Sequence, residues 1–187
     1  MSDDELRVRG RSMEEAFFVH ENERLRLNLR EMVHQDASGG LAVASGIHDP
    51  HALNGLTTRH VDGDTAAAMA LVPLVAIAWA DRELHDRERA ALLQAVESAG
   101  ISQGSPSHAL LDSWFRERPD PELFERWKSF IASLCADMDT SAVEALRAEI
   151  IGKARGVAEA AGGILGFGKV SAREQEILDE LEHAFPV

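Results

Sequence analysis

The feature that most constrains the fold of this chain is an apolar run from Ala66 to Ala80 that contains no charged residue. The run is shorter than the roughly 20 residues that a helix needs to cross a bilayer, and Pro73 interrupts it. A helix that is apolar on every side is typical of a protein core. The sequence therefore predicts a buried helix from Thr65 to Trp79 and no membrane span.

Helical patterns also fill the chain after this run, and no segment shows the alternation of a β-strand. Each further helix is marked by a capping residue, a proline in its first turn or a terminal glycine. The predicted segments are Ala90 to Ala99, a helix opened by Ser105 and Pro106, a helix opened by Asp120 and Pro121, Thr140 to Gly162, and a last helix opened by Ser171 and Glu174. With 45% hydrophobic residues to build a core, the sequence predicts an all-α fold, a compact bundle of about seven to nine helices.

The N-terminal part of the chain is predicted to be organised differently. Ser12 and Glu15 have the spacing of a capping box, which predicts the start of a long first helix that stops near Gly40. Its apolar positions are Phe18, Leu25, Leu29, Met32 and Val33. Glycines and a proline break the stretch that follows, which predicts short helices joined by turns. Residues 1–60 are accordingly predicted to form an N-terminal arm or subdomain, and residues 61–187 the main helical domain.

The charge of the chain excludes some partners. A formal net charge of -13 opposes the phosphate backbone of nucleic acids, which proteins bind through clustered Lys and Arg. One local exception is Arg7, Arg9 and Arg11, which are suited to a phosphate or carboxylate but equally to a solvated face. The single Cys135 allows no intrachain disulfide and is interpreted as a small buried hydrophobe. The acidic N-terminus does not resemble a signal peptide, so a cytoplasmic location is predicted.

A helix-loop-helix unit is repeated along the chain. A shift of 86 residues superposes apolar positions and helix starts: Leu84 on Val170, Arg87 on Arg173, Glu88 on Glu174, Leu92 on Leu178 and Ala95 on Leu181. Two amphipathic hairpins that share a pattern can bury their apolar faces against each other. We therefore expect a duplicated unit whose two loops lie side by side, with Leu84 and Val170 pointing inward.

The first loop of this unit carries a family motif. The run from Ala78 to Arg89 reads Ala-Trp-Ala-Asp-Arg-Glu-Leu-His-Asp-Arg-Glu-Arg and resembles the Ala-Asp-Gly-x-Ile-x-x-x-Glu signature of the tellurite-resistance TerB-like proteins. The resemblance extends over about residues 66–187. It implies an all-helical bacterial protein associated with stress and tellurite resistance, whose acidic loop has been discussed as a divalent-metal site. By motif position, Asp81 and Glu88 would bind the metal.

The acidic loop supports two interpretations. Four carboxylates lie within eight residues, on Asp81, Glu83, Asp86 and Glu88, and hard oxygen ligands suit Ca²⁺ or Mg²⁺. Alternatively, Asp86 and Glu88 stabilise the start of the next helix, while neighbouring arginines neutralise the remaining charge. Arg82 stands where the TerB-like proteins usually have Gly, which places a cation beside the acids.

Other sequence patterns indicate less. The stretch from Gly163 to Lys169 matches half of a phosphate-binding loop, but Val170 replaces the required Ser or Thr, and a helix precedes the loop where a strand is needed. Two Glu-x-x-His pairs, of the kind found in carboxylate-bridged di-metal enzymes, occur in the chain: Glu31 with His34, and Glu180 with His183.

The sequence thus favours a binding protein over an enzyme. The leading hypothesis is a TerB-like module that acts through a protein partner or self-association, with Ca²⁺ or Mg²⁺ held near Asp81. A metal-free interaction protein is the alternative, and a ferritin-like di-metal enzyme is the third hypothesis.

Overall fold

A computed structural model describes residues 3–18, 37–84, 86–98, 101, 103–104, 106–164 and 170–186. These residues form nine α-helices and contain no strand, so the predicted all-α fold is confirmed. In chain order the helices are α1 (Asp3–Phe18), α2 (Ala37–Ser45), α3 (Pro50–Thr58), α4 (Gly63–Ala78), α5 (Asp86–Ser98), α6 (Pro106–Arg116), α7 (Glu122–Cys135), α8 (Thr140–Ile164) and α9 (Ala172–His183). No helix in this described part is long and apolar enough to cross a membrane.

The apolar run forms α4, which lies at the centre of the bundle. Asp62 caps its first turn by accepting a hydrogen bond from the Thr65 backbone N–H at 2.8 Å. Every residue from Ala66 to Val75 is buried, and α4 packs against α1, α2, α6, α7, α8 and α9. The predicted core helix is therefore confirmed, and the other helices are arranged around it.

Pro73 is accommodated inside α4 by a contact from another helix. A proline within a helix has no N–H to donate to the carbonyl four residues earlier, which here belongs to Met69. The indole Nε1 of Trp127, on α7, donates a hydrogen bond to this Met69 carbonyl at 2.8 Å, and Trp127 is completely buried. The carbonyl that Pro73 leaves without its helical partner is thus satisfied by tertiary structure.

The N-terminal prediction was wrong in two places. Ser12 does not cap a helix, because α1 already begins at Asp3; its hydroxyl instead accepts a hydrogen bond from Arg126 on α7. The helix stop near Gly40 is absent, because α2 continues through Gly39 and Gly40. This helix packs against α4, and the packing outweighs the weak helix propensity of glycine. The predicted apolar positions Leu25, Leu29, Met32 and Val33 lie outside the described residues.

The N-terminal helices contribute to the same core as the rest of the bundle. Leu6 of α1, Leu41 of α2 and Leu56 of α3 are buried in it. A polar contact also fastens the turn after α2 to α8. There the Lys153 ammonium donates to the Gly46 carbonyl and pairs with Glu149, whose other oxygen accepts the backbone N–H groups of the residues at 48 and 49.

The contact between Trp127 and Met69 can be tested by a double-mutant cycle. We expect Trp127→Phe to lower the free energy of unfolding by about 1–3 kcal/mol, because it leaves a buried carbonyl without a hydrogen bond. In a Pro73→Ala background the loss should be smaller, because residue 73 can then donate to the same carbonyl. Urea unfolding of the four proteins measures the coupling. Equal losses in both backgrounds would contradict the assignment.

Candidate functional site

The two helix-loop-helix units consist of α4 with α5 and of α8 with α9. Their second helices begin at Asp86 and Ala172, the same 86-residue offset as in the sequence comparison. Leu84 and Val170 both pack partly buried against the core, as expected. The predicted capping box of the second unit is confirmed, since the Ser171 and Glu174 side chains each bind the other's backbone N–H.

Asp81 lies in the first loop and contacts the second unit. Its side chain is 52% exposed, and its Oδ1 is 3.5 Å from Nη1 of Arg173, in the first turn of α9. The ion pair therefore joins the first loop to the start of the last helix. Glu88 belongs to the first turn of α5, but its side chain lies outside the described part of the structure.

Glu83 and Asp86, the other carboxylates of the acidic loop whose side chains are described, do not form a metal-binding cluster with Asp81. Glu83 is exposed, and Asp86 lies 3.5 Å from Arg89, which also donates to Asp112 of α6 at 2.9 Å. Where side chains are described, no group of three or more His, Cys, Asp or Glu is arranged to hold a metal ion. The Ca²⁺ or Mg²⁺ site at Asp81 and Glu88 stays a prediction.

Calorimetric titration with Ca²⁺ and with Mg²⁺ tests this site. If Asp81 and Glu88 bind a cation, the wild-type chain should show saturable one-to-one binding, and the Asp81→Asn, Glu88→Gln double variant should show none, because it lacks both charged ligands. Glu144→Gln, an exposed carboxylate on α8, is the matched control and should bind as the wild type does. Absence of saturable binding in the wild-type chain would rule out the site.

Arg82 follows Asp81 and adopts an unusual backbone conformation. Its φ is 68°, in the left-handed region that favours glycine, and its backbone N–H donates to the Trp79 carbonyl at 3.0 Å. A side chain in this conformation costs roughly 1–2 kcal/mol. Glycine adopts this conformation without that cost, so the chain has an arginine at a position where the backbone favours glycine.

Replacing Arg82 by glycine separates the turn from the side chain. We expect Arg82→Gly to raise the free energy of unfolding by up to about 1 kcal/mol, because the relief of backbone strain exceeds the entropy that a new glycine adds to the unfolded chain. Thermal and urea unfolding measure the change. A clear loss of stability would show that the Arg82 side chain supports the fold.

The Arg82 side chain lines a groove of about 350 Å³ at the C-terminal end of α4. The groove lies between this end of α4, the turn joining α6 to α7, the start of α7, and α9. Its apolar lining consists of Val72, Val75, Ala76, Trp79, Ala80, Pro119, Pro121, Leu123, Phe124 and Ile177. Trp79, Phe124 and Ile177 are only partly buried, so they present apolar surface that the described residues do not cover. We call this feature the α4–α9 groove.

Contacts of Trp79 and Phe124 with neighbouring residues hold the shape of the groove. The Trp79 indole Nε1 donates to the Trp114 carbonyl at 2.8 Å, near the C-terminal end of α6, and so fixes the start of the turn that forms one wall. The Phe124 ring stacks on Trp127 with centroids 6.0 Å apart. The Lys128 ammonium lies 4.9 Å from the Phe124 ring centroid. The walls are therefore positioned by residues that also belong to the core.

Two guanidinium groups and three carboxylates line the α4–α9 groove, and one of the carboxylates, Asp120, accepts the backbone N–H of Glu122 at 2.8 Å. Glu125 and Glu180 both bind Lys128, with N–O distances of 2.7 and 3.2 Å. Burial lowers the pKa of Lys128, but the two carboxylates outweigh it, so the pKa is raised and the ammonium is charged. By contrast, the guanidinium groups of Arg82 and Arg118 make no hydrogen bond or ion pair with any described residue, and both side chains are exposed.

A second cavity, of about 440 Å³, lies between α1 and the turn from α3 to α4. The structure brings two of the candidate phosphate-binding arginines, Arg7 and Arg11, to this cavity together with Arg59. Three acids line it as well, namely Glu14, Glu15 and Asp62, and Arg59 already pairs with Asp137 at 3.1 Å. The cavity therefore offers an anion no clear excess of positive charge. Arg9 points elsewhere and donates to Ser129 at 2.8 Å.

The remaining candidate residues do not form a catalytic or metal-binding site in the described part of the structure. Cys135 is buried, as predicted, and burial raises the pKa of its thiol to about 12, so the thiol stays protonated at neutral pH. Glu180 binds Lys128, and the His183 ring contacts the Asp179 carbonyl. Their predicted di-metal partners Glu31 and His34 lie outside the described residues, as does the segment 165–169 of the glycine-rich turn.

Sequence reasoning missed the α4–α9 groove. It placed Trp79 at the end of the buried core helix, although this side chain remains partly exposed. The groove is formed by three separate parts of the chain, and apolar spacing alone does not distinguish a core position from a groove wall. The backbone conformation of Arg82 had one signal in the sequence, because the motif that this loop resembles usually has Gly at that position.

Comparison with known proteins found no match to this chain among family models, curated protein sequences or solved structures. The TerB-like resemblance therefore stays a prediction based on the motif from Ala78 to Arg89.

Proposed function

We propose that this protein is a binding module that holds a short apolar segment of a partner protein in the α4–α9 groove. The observation that carries the proposal is the partly exposed apolar lining of Trp79, Phe124 and Ile177 in a groove of about 350 Å³. Natural binding sites are concave and largely apolar, with a few polar groups that fix orientation, and this groove has that character. A few anchoring side chains of a partner would fill it.

The preformed walls of the groove favour recognition of a partner without chemical change. Trp79 and Phe124 are held by contacts to the core, so a ligand need not order them and loses less free energy on binding. The charged lining of the groove consists of Arg82, Arg118, Asp120, Glu125 and Glu180, and the lining contains no histidine, cysteine or serine. Its described lining is therefore suited to binding.

The sequence resemblance adds a cellular context to the proposal. A TerB-like protein would act in bacterial stress or tellurite resistance, and the acidic composition fits a cytoplasmic module that does not bind nucleic acid. A divalent cation at Asp81 would compete with Arg173 for the carboxylate. Because Arg173 and Ile177 lie on the same helix, such a cation would act on one wall of the groove. The metal-free module is the alternative within the same proposal.

Selection from a displayed library of random linear peptides tests the binding function. We expect the wild-type chain to enrich peptides rich in apolar residues. Ala76→Trp, which places an indole inside the groove, should weaken their binding by roughly tenfold or more. Ala148→Trp, at an exposed position of α8 away from the groove, is the matched control and should bind as the wild type does.

Two results would contradict the proposed function. The first is a selection that enriches no peptide. The second is a set of enriched peptides that bind Ala76→Trp as tightly as the wild-type chain, while circular dichroism shows both proteins folded.

A further inference from the structure

We propose that the α4–α9 groove recognises acidic peptides, in which a carboxylate lies close to an apolar anchor side chain and is bound by Arg82 and Arg118. This inference rests on the proposed binding function and names the chemistry of the partner. The apolar lining takes the anchor, and the two guanidinium groups take the carboxylate. Guanidinium and carboxylate groups match in geometry and form charge-assisted hydrogen bonds.

The first argument is the unequal pairing of charges at the groove. The chain has 32 Asp and Glu against 19 Lys and Arg, so its carboxylates outnumber its cations. In such a chain a cation readily finds a carboxylate partner, as Lys128 does twice at this groove. Arg82 and Arg118 nevertheless have no such partner within the described ranges, although both border apolar surface. Three carboxylates also line the groove: Glu125 and Glu180 share Lys128, and Asp120 accepts a backbone N–H at 2.8 Å. The two guanidinium groups are therefore the charged groups of the lining that have no described partner and are available to a ligand.

The second argument is the backbone strain at Arg82. Its left-handed conformation would be adopted by glycine without strain, yet the chain has the side chain with the longest reach at this position. Strained backbone that persists in a folded protein occurs often at ligand sites. A turn that projects a guanidinium over an apolar groove explains why arginine is found there.

The charge of the whole protein makes the inference sharply testable. At -13 the chain repels an acidic peptide at long range, so its overall field favours neutral or basic peptides. Screening limits this field to about 8 Å at physiological ionic strength. A preference for acidic peptides can therefore arise only from local cations, and the described groove has two of them without a partner.

The experiment uses the peptides selected on the full chain. We expect enriched sequences to contain more Asp and Glu than the input library, close to an apolar residue. The tightest peptide is then synthesised in three forms: as selected, with Asp and Glu replaced by Asn and Gln, and with its C-terminus amidated. Fluorescence anisotropy gives the Kd of each. The uncharged form should bind roughly tenfold more weakly than the selected form, and the amidated form shows whether the bound carboxylate is terminal or on a side chain.

Two variants assign the effect to the arginines. Arg82→Gly and Arg118→Gln should each lose about tenfold in affinity for the acidic peptide but little for its uncharged form. Arg116→Gln is the matched control, because Arg116 is exposed on α6, outside the groove, and pairs with Asp112 at 2.8 Å. The Tm of Arg82→Gly should not fall, so its lost binding cannot be caused by unfolding.

The outcomes distinguish this inference from the proposed function. Enrichment of neutral or basic peptides whose binding is blocked by Ala76→Trp would overturn the acidic ligand and leave the binding function standing. Equal loss of the charged and uncharged peptides in Arg82→Gly would also overturn it. A selection without any binding peptide would overturn both.

Discussion

The burial of α4 on all sides is the constraint on which the rest of the structure depends. A helix with an apolar surface all around must be covered by the rest of the chain, and six helices of this bundle pack against it. Pro73 would leave one of its carbonyls without a hydrogen bond in the middle of this core, and Trp127 supplies the missing donor. The same tryptophan packs against Phe124 and Phe185, so the residue that satisfies the Met69 carbonyl also lies at the centre of the aromatic part of the core.

The α4–α9 groove forms where the surrounding helices no longer cover the apolar surface at the end of α4. Ala76 in the last turn of α4 and Trp79, which directly follows the helix, are partly exposed. The turn after α6 and the side of α9 approach this end but leave apolar surface open to solvent. The groove walls are held by contacts that also stabilise the fold, so a ligand that binds there would lose little free energy in ordering these side chains. The charges are different, because the guanidinium groups of Arg82 and Arg118 make no hydrogen bond or ion pair with a described residue.

The duplicated units have the same scaffold but different loops. The coincident offset of their second helices and the inward Leu84 and Val170 indicate that the repeated pattern serves packing. Only the first loop has Asp81 and Arg82, and in the structure the two have separate contacts. Asp81 joins the two units through Arg173, while Arg82 lines the groove. The loop therefore links the scaffold to the proposed binding site.

The sequence by itself determined the all-α class, the central helix, most helix starts after residue 60, and the duplicated unit. These features follow from local chemistry, since capping groups act within one turn and apolar spacing within one helix. It failed at Ser12 and at Gly40, where packing on α7 and α4 outweighs local propensity. Only the tertiary structure decided which apolar residues remain exposed and which charges remain unpaired among the described residues. The exposure of an apolar residue and the pairing of a charge both depend on side chains that are distant in the sequence, so the spacing of residues along one helix does not predict them.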